Sequence, residues 1–334
     1  MSMTKQLFVS SLLTPKNPVT ERAEAFAPVN IAIAKYWGKR NEELLLPVTD
    51  SLSVAIGAGT TTTLSLAHTP FDTVTLNGED VAHDSAFYQR LVAFLDLFRP
   101  TTDFFFAVET KNSIPTAAGL ASSASGFAAL VLALEKFFGW NLPAKKLSLL
   151  ARLGSGSACR SLFPGFVLWN KGELDDGSDS FAEGLNLWWD ELCFGVEIIS
   201  KKQKKIDSRS GMKNTVNTSL LYRYWPEQVE TTIETLMQAI SEKNFALFGQ
   251  AVETNALFMH STMLTSNPPI CYWHEESLAY MKTIWQARQR GVQVYFTMDA
   301  GPNIKLFFLK KDADAVKSLL SNMTVLPLLG PENL

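Results

Sequence analysis

The chain has 334 residues, of which 46% are hydrophobic and 19% are charged, and this composition is typical of a globular protein with a sizeable core. Its formal net charge is −3, so the chain lacks the overall basic charge of a nucleic-acid-binding protein. Three dispersed cysteines and four isolated histidines argue against a disulfide scaffold, a zinc site and a Ser-His-Asp triad.

Two observations predict a protein of the cytoplasm. No apolar run approaches the roughly 20 residues that a membrane-spanning helix requires. Residues 1–24 also lack the apolar core and the cleavage site of a signal peptide. We interpret residues 1–24 as an N-terminal extension without an assigned role. A first domain is then predicted over 25–190 and a second over 191–334. The composition of the sequence changes around residues 198–207, and we place the division between the halves near residue 190.

The first domain is predicted to contain both strands and helices. Apolar and alternating runs predict strands over 26–35, 51–56, 60–67, 73–76, 104–108 and 166–169. Helical spacing of apolar residues predicts helices over 85–98, 125–138 and 144–153.

The second domain is predicted to contain three long helices, one shorter helix and one antiparallel sheet. Strands are predicted over 193–199, 292–298 and 304–309, and helices over 226–241, 244–263, 274–291 and 313–322. The order helix, strand, turn, strand, helix favours an α+β arrangement with helices on one face of the sheet.

Residues 115–124, Pro-Thr-Ala-Ala-Gly-Leu-Ala-Ser-Ser-Ala, form a loop of small residues that leads into the helix predicted over 125–138. Backbone N–H groups and the helix dipole favour an anion at such a place, and the hydroxyls of Ser122 and Ser123 can bind phosphate oxygens or a metal ion. The same composition also fits close helix packing with serine as an ordinary N-cap. The spacing is not that of a P-loop. The local pattern leaves both interpretations open.

Three further features allow a ligand interpretation and a structural one. Three basic residues and two aromatic ones lie together over 35–40, as expected for a site that binds a polyanion or for an exposed basic turn. Arg160 follows two Gly-Ser pairs, so it can hold a carboxylate in a bidentate fork or form a surface salt bridge. Asp299 ends an apolar strand before a Gly-Pro turn, and it is either a buried base or a turn former. The lysine-rich run over 201–205 is interpreted as a solvated charge run.

Together these stretches resemble the GHMP small-molecule kinase superfamily. Residues 115–124 match its P-x-x-x-G-L-x-S-S-A phosphate loop. Residues 27–32, 35–40, 154–161 and 298–303 are similar to the diphosphomevalonate decarboxylase branch, for which K-Y-W-G-K together with G-S-G-S-A-C-R-S is close to diagnostic. The resemblance extends from about residue 25 to about residue 310. It implies an α+β GHMP kinase fold, with two α/β lobes, largely antiparallel sheets and a ligand cleft between them.

The resemblance implies ATP-dependent decarboxylation of mevalonate 5-diphosphate to isopentenyl diphosphate, with formation of ADP, phosphate and CO2. ATP would phosphorylate the tertiary 3-hydroxyl, because a free hydroxyl is a poor leaving group. The implied cofactors are ATP and Mg²⁺, the implied assembly is a homodimer, and neither nucleic acid nor a membrane is an expected partner.

The resemblance also assigns roles to individual residues. Those expected to take part in catalysis are Asp299, Lys35, Arg160 and Ser123. Those expected to bind the ATP phosphates are Pro115, Ala118, Gly119, Leu120, Ala121, Ser122 and Ser123, with Ser123 also at the metal ion. Those expected to bind substrate are Tyr36, Lys39, Ser155, Ser157, Arg160, Ser208 and Arg209. In these roles Asp299 would orient or deprotonate the hydroxyl, and Arg160 would hold the carboxylate.

Two positions depart from the common pattern of the family, namely Asn41 and Asp50, and Asp50 adds a negative charge near the expected phosphates. Three alternatives are considered: a kinase that stops at the 3-phosphate, a decarboxylase of the monophosphate, and a non-catalytic protein that binds nucleotide and ligand. The joint presence of Lys35 and Asp299 favours the complete decarboxylase. Lys39 and Arg209 favour the diphosphate as substrate.

Overall fold

The fold is described from a computed structural model over residues 3–113, 122–202, 204–320 and 322–333. Within these ranges no helix combines the length and the apolar character that crossing a membrane requires.

The first half of the chain builds a seven-stranded sheet around one long strand. The strands of this half are β1 (Arg22–Ala34), β2 (Lys39–Asn41), β3 (Leu46–Pro47), β4 (Ser51–Leu66), β5 (Thr73–Leu76), β6 (Glu79–Asp80), β7 (Phe106–Asn112), β8 (Phe166–Trp169) and β9 (Ala182–Gly184). The sheet has the order β6-β5-β7-β4-β8-β9, and β1 also pairs with β4. Every pairing except β5 with β7 is antiparallel, while β2 and β3 form a separate two-stranded hairpin.

Helices cover one side of this sheet. They are α1 (Lys5–Leu12), α2 (Ala86–Leu95), α3 (Ser122–Phe138) and α4 (Ala144–Gly154), followed by a 3-10 helix over Gly156–Leu162. Helix α3 packs on β1 and β4 and is apolar nearly all round, as a helix buried in a core must be. The first core lies between these helices and the sheet.

The second half builds a four-stranded antiparallel sheet in the order β11-β12-β10-β13. Its strands are β10 (Leu192–Glu197), β11 (Val294–Thr297), β12 (Ile304–Leu309) and β13 (Met323–Leu326). Its helices are α5 (Ser208–Thr218), α6 (Trp225–Ser241), α7 (Phe245–Leu264), α8 (Glu275–Gln289) and α9 (Ala313–Leu319). Short 3-10 helices lie at Leu220–Tyr224, Lys310–Asp312 and Pro331–Asn333.

The two sheets share a hydrophobic core. Apolar residues of β1 and β4 pack with residues of β10, β12, α6 and α7 in one continuous cluster. Backbone hydrogen bonds reinforce this contact, because Gly57 N donates to Pro327 O at 2.8 Å and Leu329 N donates to Ala55 O at 3.0 Å. Helix α7 contacts both β1 and β11, so it joins the two lobes directly.

The expected α+β fold with largely antiparallel sheets is confirmed, but one strand was divided wrongly. Residues 51–56 and 60–67 were predicted as two strands, whereas β4 runs through both. The glycines between them permit close approach of neighbouring backbone. A Cβ at Gly59 would lie 2.1 Å from the carbonyl oxygen of Ala27, opposite the place where β1 shifts register. The glycines therefore mark close packing within a strand rather than its end.

Two other segments differ from expectation. Helix α5 was not predicted, because its sequence is polar. Asp207 caps the start of this helix, since its carboxylate accepts hydrogen bonds from Arg209 N and Ser210 N. No helix or strand was predicted over 154–161, but most of this segment is the 3-10 helix at Gly156–Leu162.

Residues of the N-terminal extension contribute to the first core. Helix α1 begins after Thr4, whose hydroxyl accepts from Leu7 N, and its residues Phe8 and Val9 are 2% and 3% exposed. The guanidinium carbon of Arg152 lies 5.3 Å from the centre of the Phe8 ring. The domain boundaries near residues 24 and 190 stay predictions.

We expect Phe8→Ala to lower the free energy of unfolding by about 3–5 kcal/mol, because it removes a buried ring and leaves a cavity. Its matched control is Leu7→Ala in the same helix, where the side chain is 51% exposed; this change should cost less than about 0.5 kcal/mol. Urea unfolding of both variants and the parent measures the difference. Equal stability of the two variants would show that α1 does not belong to the core.

Candidate active site

A cleft of about 440 Å³ lies where residues of both lobes meet, and its lining is strongly cationic. Among the described residues that line it, six are cationic and two are anionic. The cationic ones are Lys35, Lys39, Arg90, Arg160, Lys204 and Arg209. The anionic ones are Asp207 and Asp299. Because the whole chain has a net charge of −3, this local excess of positive charge marks a site for a polyanion.

Asp299 lines the cleft and lies between two buried lysines. Its Oδ1 accepts from Lys35 Nζ at 2.8 Å and its Oδ2 accepts from Lys305 Nζ at 2.6 Å. The side chain of Asp299 is 34% exposed, whereas the side chains of the lysines are 2% and 1% exposed. Burial raises the pKa of Asp299, but the ammonium groups of Lys305 and Lys35 outweigh it and hold that pKa well below its usual range. The carboxylate that faces the cleft is therefore ionised.

Lys35 follows directly after β1 and is buried. Burial lowers its pKa to about 8, against the opposing attraction of Asp299, and the nearby charges of Lys305 and Arg160 lower it further. Lys35 therefore carries its charge at neutral pH and loses it in mildly alkaline solution.

Arg160 is 2% exposed, and its hydrogen-bond partners among the described residues are neutral. Its Nε and Nη2 donate to Asn30 Oδ1 at 3.3 and 3.2 Å, and its Nη1 donates to the hydroxyl of Ser51. Among the described residues no carboxylate lies within ion-pair distance of it, so the surface salt bridge that the sequence left open is not observed. A buried guanidinium without a carboxylate, at the wall of a cleft, is suited to bind an anionic ligand.

Cations converge at another part of the cleft wall. Nη2 of Arg90 and Nη2 of Arg209 both donate to Gly154 O, at 3.3 and 3.5 Å. Burial lowers the pKa of Arg90 to about 10, and the charge of Arg209 adds to this effect. Lys39 Nζ pairs with Glu42 at 2.6 Å. The hydroxyl of Tyr36 is buried and has no hydrogen-bond partner within the described residues.

The cleft brings together most of the residues that the sequence predicted as site residues. Those that line it are Lys35, Tyr36, Lys39, Ser123, Ser155, Ser157, Arg160, Ser208, Arg209 and Asp299. The other predicted residues lie within 115–122 of the sequence. Those outside the described residues are Pro115, Ala118, Gly119, Leu120, Ala121 and the side chain of Ser122. Within the described part of the chain, no group of three or more His, Cys, Asp or Glu side chains is arranged to hold a metal ion.

Sequence reasoning missed Lys305, Arg90 and Asn30. The signal for Lys305 was present, because it is the only charged residue in the apolar run over 304–309 and a lysine there needs a partner. The described lysines of the run over 201–205 are exposed, as predicted, but the run was not expected to contribute to the site. Lys204 lines the cleft, and desolvation there lowers its pKa.

The two departures from the family pattern have structural partners. Asn41 Oδ1 accepts from Leu44 N at 2.9 Å and Asp50 Oδ1 accepts from Lys171 N at 2.6 Å. Neither is among the described residues that line the cleft. Their side chains therefore stabilise loops near the cleft.

A second, smaller cavity of about 140 Å³ lies between α2, α3, β4 and β7. Its lining is mostly apolar and includes Phe87, Leu91, Phe127 and Leu130. Ser123 lines both this cavity and the cleft, so the two spaces are neighbours at the start of α3. A Cβ placed on Gly126 in the wall of the small cavity would meet no described atom within 4 Å.

Comparisons with known proteins agree on one family. The family model described as the diphosphomevalonate decarboxylase-like N-terminal domain matches residues 27–182, and the mevalonate 5-diphosphate decarboxylase C-terminal domain matches residues 195–327. The diphosphomevalonate decarboxylase of Gibberella zeae is 40% identical over 319 residues, which cover 88% of this chain and 83% of the relative. The Saccharomyces cerevisiae enzyme of the same name is 38% identical over 314 residues, or 87% and 78% of the two chains.

Solved structures point the same way. One that is described as MDDEF in complex with MVAPP, AMPPCP and magnesium has a TM-score of 0.87 and 44% identity, and the match covers 93% of this chain and 97% of that chain. The mevalonate diphosphate decarboxylase of Staphylococcus aureus has a TM-score of 0.87 and 35% identity, over 93% and 96% of the two chains.

We expect Asp299→Asn to lower the pKa of Lys35 below its value of about 8, because the substitution removes the negative charge that raises it. The titration is followed through the ¹³Cε chemical shift of Lys35 in protein with labelled lysine, and the resonance is assigned by its loss in Lys35→Arg. Asp207→Asn is the matched control, since Asp207 also lines the cleft but caps α5 and does not contact Lys35. An unchanged Lys35 titration in Asp299→Asn would contradict the ion pair.

Proposed function

This chain belongs to the diphosphomevalonate decarboxylase family, and we propose that its cleft catalyses the ATP-dependent decarboxylation of mevalonate 5-diphosphate to isopentenyl diphosphate, ADP, phosphate and CO2. The observation that carries this proposal is the ionised Asp299, held by Lys35 and Lys305 and facing the same cleft as the buried Arg160. The reaction needs these groups, because it activates a hydroxyl and breaks a carbon–carbon bond beside a carboxylate.

Asp299 is assigned to the 3-hydroxyl of the substrate. A carboxylate whose pKa is held so low is a weak base in the free protein, so its first task is to orient the hydroxyl by accepting its hydrogen bond. The hydroxyl proton becomes acidic as its oxygen bonds to the γ-phosphorus of ATP, and Asp299 receives it at that stage. The nearby charge of Lys35 stabilises the transferred phosphoryl group.

Arg160 is assigned to the carboxylate of the substrate. The phosphate leaves C3 with the electron pair of the carbon–oxygen bond, and the electrons of the C1–C2 bond then form the C2–C3 double bond as CO2 departs. A guanidinium held by Asn30 and Ser51 can keep the carboxylate in the orientation in which these bonds align.

The remaining cations are assigned to the diphosphate of the substrate. Lys39 and Arg209 supply positive charge, with Arg90 beside them. Hydroxyl donors line the same cleft and are proposed to complete this site, namely Tyr36, Ser155, Ser157 and Ser208. A diphosphate presents several oxygens, and a site with both charges and hydroxyls matches that geometry.

ATP and Mg²⁺ are proposed to bind where the two cavities adjoin. The start of α3 directs backbone N–H groups and the dipole toward an anion, and Ser123 supplies a hydroxyl there. The apolar cavity is proposed to hold the adenine. Mg²⁺ bound to phosphates needs only one or two protein ligands, and Ser123 fits that requirement; when bound, the ion would neutralise charge on the transferred phosphoryl group.

The roles of Pro115, Ala118, Gly119, Leu120, Ala121 and Ser122 at the ATP phosphates stay predictions. The homodimer and the cytoplasmic location also stay predictions.

Incubation with mevalonate 5-diphosphate labelled at C1, ATP and Mg²⁺ tests the proposal. We expect labelled CO2 and ADP in equal amounts. Asp299→Asn should bind both ligands and lose turnover by about 10²–10⁴-fold, because it removes the acceptor of the hydroxyl proton. Asp50→Asn, which removes a carboxylate outside the cleft lining, is the control and should turn over like the parent. ADP without CO2 would instead indicate a 3-kinase, and neither product would refute both enzymatic functions.

Filling the apolar cavity should weaken nucleotide binding selectively. We expect Gly126→Met to raise the KM for ATP about tenfold and to leave the KM for the diphosphate substrate within about twofold, because its side chain occupies the space assigned to adenine. Gly126→Ala is the control, since its Cβ would meet no described atom within 4 Å and Ala favours the helix by up to about 1 kcal/mol. An unchanged KM for ATP in Gly126→Met would place the adenine elsewhere.

A further inference from the structure

We propose that helix α7 positions the reacting groups, with Asn255 holding the backbone of Lys35 and His260 holding the backbone of Asp299 so that their side chains meet. This inference rests on the function proposed above and extends it to two residues that lie behind the cleft. Both are on one helix, five positions apart, which corresponds to a rise of about 7.5 Å.

Asn255 fixes the backbone of Lys35. Lys35 N donates to Asn255 Oδ1 at 2.8 Å, at the point where β1 has just ended and the sheet no longer provides an acceptor. The side chain of Asn255 is fully buried. Its Nδ2 donates to Gln228 Oε1 at 2.8 Å and to Thr232 Oγ1 at 3.4 Å, both on α6. These bonds set the direction of the amide, so the acceptor oxygen always faces Lys35.

His260 fixes the backbone of Asp299. Its Nε2 lies 3.2 Å from Asp299 O, and because a carbonyl oxygen can only accept, Nε2 carries the proton. His260 is 3% exposed, and burial, together with the charge of Lys35, lowers its pKa to about 3. Its ring centre lies 5.1 Å from that of Trp273, which fixes the ring plane. The imidazole therefore stays neutral and acts as a fixed donor rather than as a titrating base.

The fold explains why Lys35 and Asp299 need to be positioned by other residues. Lys35 follows a strand of the first lobe and Asp299 follows a strand of the second, and the two residues are 264 positions apart in the chain. Their 2.8 Å contact depends on how the lobes are placed relative to each other. Helix α7 packs against β1 and against β11, so one rigid element can set that placement. The hydrogen bonds of Asn255 and His260 extend this control to the two reacting residues.

A purely structural role of Asn255 and His260 would have different consequences from a positioning role. If Asn255 and His260 only satisfied buried backbone groups, their loss would lower stability and leave the folded site as it was. If they position the pair, the folded variants have a changed Lys35 titration and a reduced kcat. The pKa of Lys35 reports directly on its contact with Asp299. The groups that face Lys35 are Asp299, Lys305 and Arg160, and of these only Asp299 raises its pKa. Lys204 acts on Asp299 from the cleft, and His260 is neutral.

The experiment compares four variants at temperatures where all are folded. His260→Phe keeps a ring beside Trp273 but removes the donor, and Asn255→Leu removes the acceptor at similar volume; Asn255→Ala replaces it if leucine does not fit. His260→Gln keeps an N–H donor near the position of Nε2. Ser261→Ala is the matched control on the same helix, because the Ser261 hydroxyl donates to Leu257 O within α7 at 2.9 Å.

The Lys35 titration, followed by its ¹³Cε shift, does not depend on catalysis. We expect the pKa of Lys35 to fall below about 8 in His260→Phe and Asn255→Leu, since Asp299 withdraws from the ammonium. His260→Gln and Ser261→Ala should titrate like the parent. Parent-like titration in both His260→Phe and Asn255→Leu would refute the positioning role.

Turnover supplies the second measurement. A misplacement of about 1 Å costs about 100-fold in rate, so we expect kcat to fall about 10- to 100-fold in His260→Phe and Asn255→Leu, with KM within about threefold. His260→Gln should recover most of the loss. A fall in kcat with an unchanged Lys35 titration would also overturn the inference. If the parent itself releases no CO2, the proposed function fails, whereas the Lys35 titration still decides whether α7 positions the pair.

Discussion

The single carboxylate of Asp299 compensates two buried ammonium groups, those of Lys35 and Lys305. The electrostatic properties of the cleft depend on this excess of positive charge. Removing a charge from water costs several kcal/mol unless it is paired, and here Lys35 and Lys305 share a single partner. Arg160 adds a third buried cation without a carboxylate among the described residues. The protein's own charges therefore leave a positive potential at this point, and a polyanionic substrate and nucleotide are the ligands that offset it. Affinity for phosphates and the ionisation of Asp299 have the same electrostatic origin.

The fold maintains this excess of positive charge by building the cleft between two lobes that share a core. Apolar residues of β1, β4, α6 and α7 form one continuous cluster, so the lobes cannot separate without exposing it to water. The glycines at 57 and 59 let β4 pack closely against residues of the C-terminal segment and of β1. The resulting rigidity keeps like charges near each other at fixed distances, which a flexible interface would not do.

Much of this architecture could be predicted from the sequence, and the failures have physical causes. Long apolar periodic segments such as α3 and α7 were predicted within a few residues, because burial determines both their pattern and their structure. Helix α5 was missed because it is polar and depends on its cap and on tertiary contacts. The partners Lys305, Asn255 and His260 were missed because their roles arise only when distant segments meet. Of these three residues, only Lys305 was marked by its local sequence, because it is a single lysine in the apolar run of β12 and therefore needs a partner.

The depressed pKa of Asp299 bears on what the protein contributes to the chemistry. A strong base beside the substrate hydroxyl would require a carboxylate with a raised pKa, and the two lysines produce the opposite. The arrangement instead fixes the direction of both carboxylate oxygens, because each accepts from a different buried ammonium. A tertiary hydroxyl that becomes acidic only as it bonds to phosphorus needs an acceptor in the right place more than it needs a strong one. Orientation, set by Lys35, Lys305 and the helix behind them, is therefore the main contribution of these residues to the reaction.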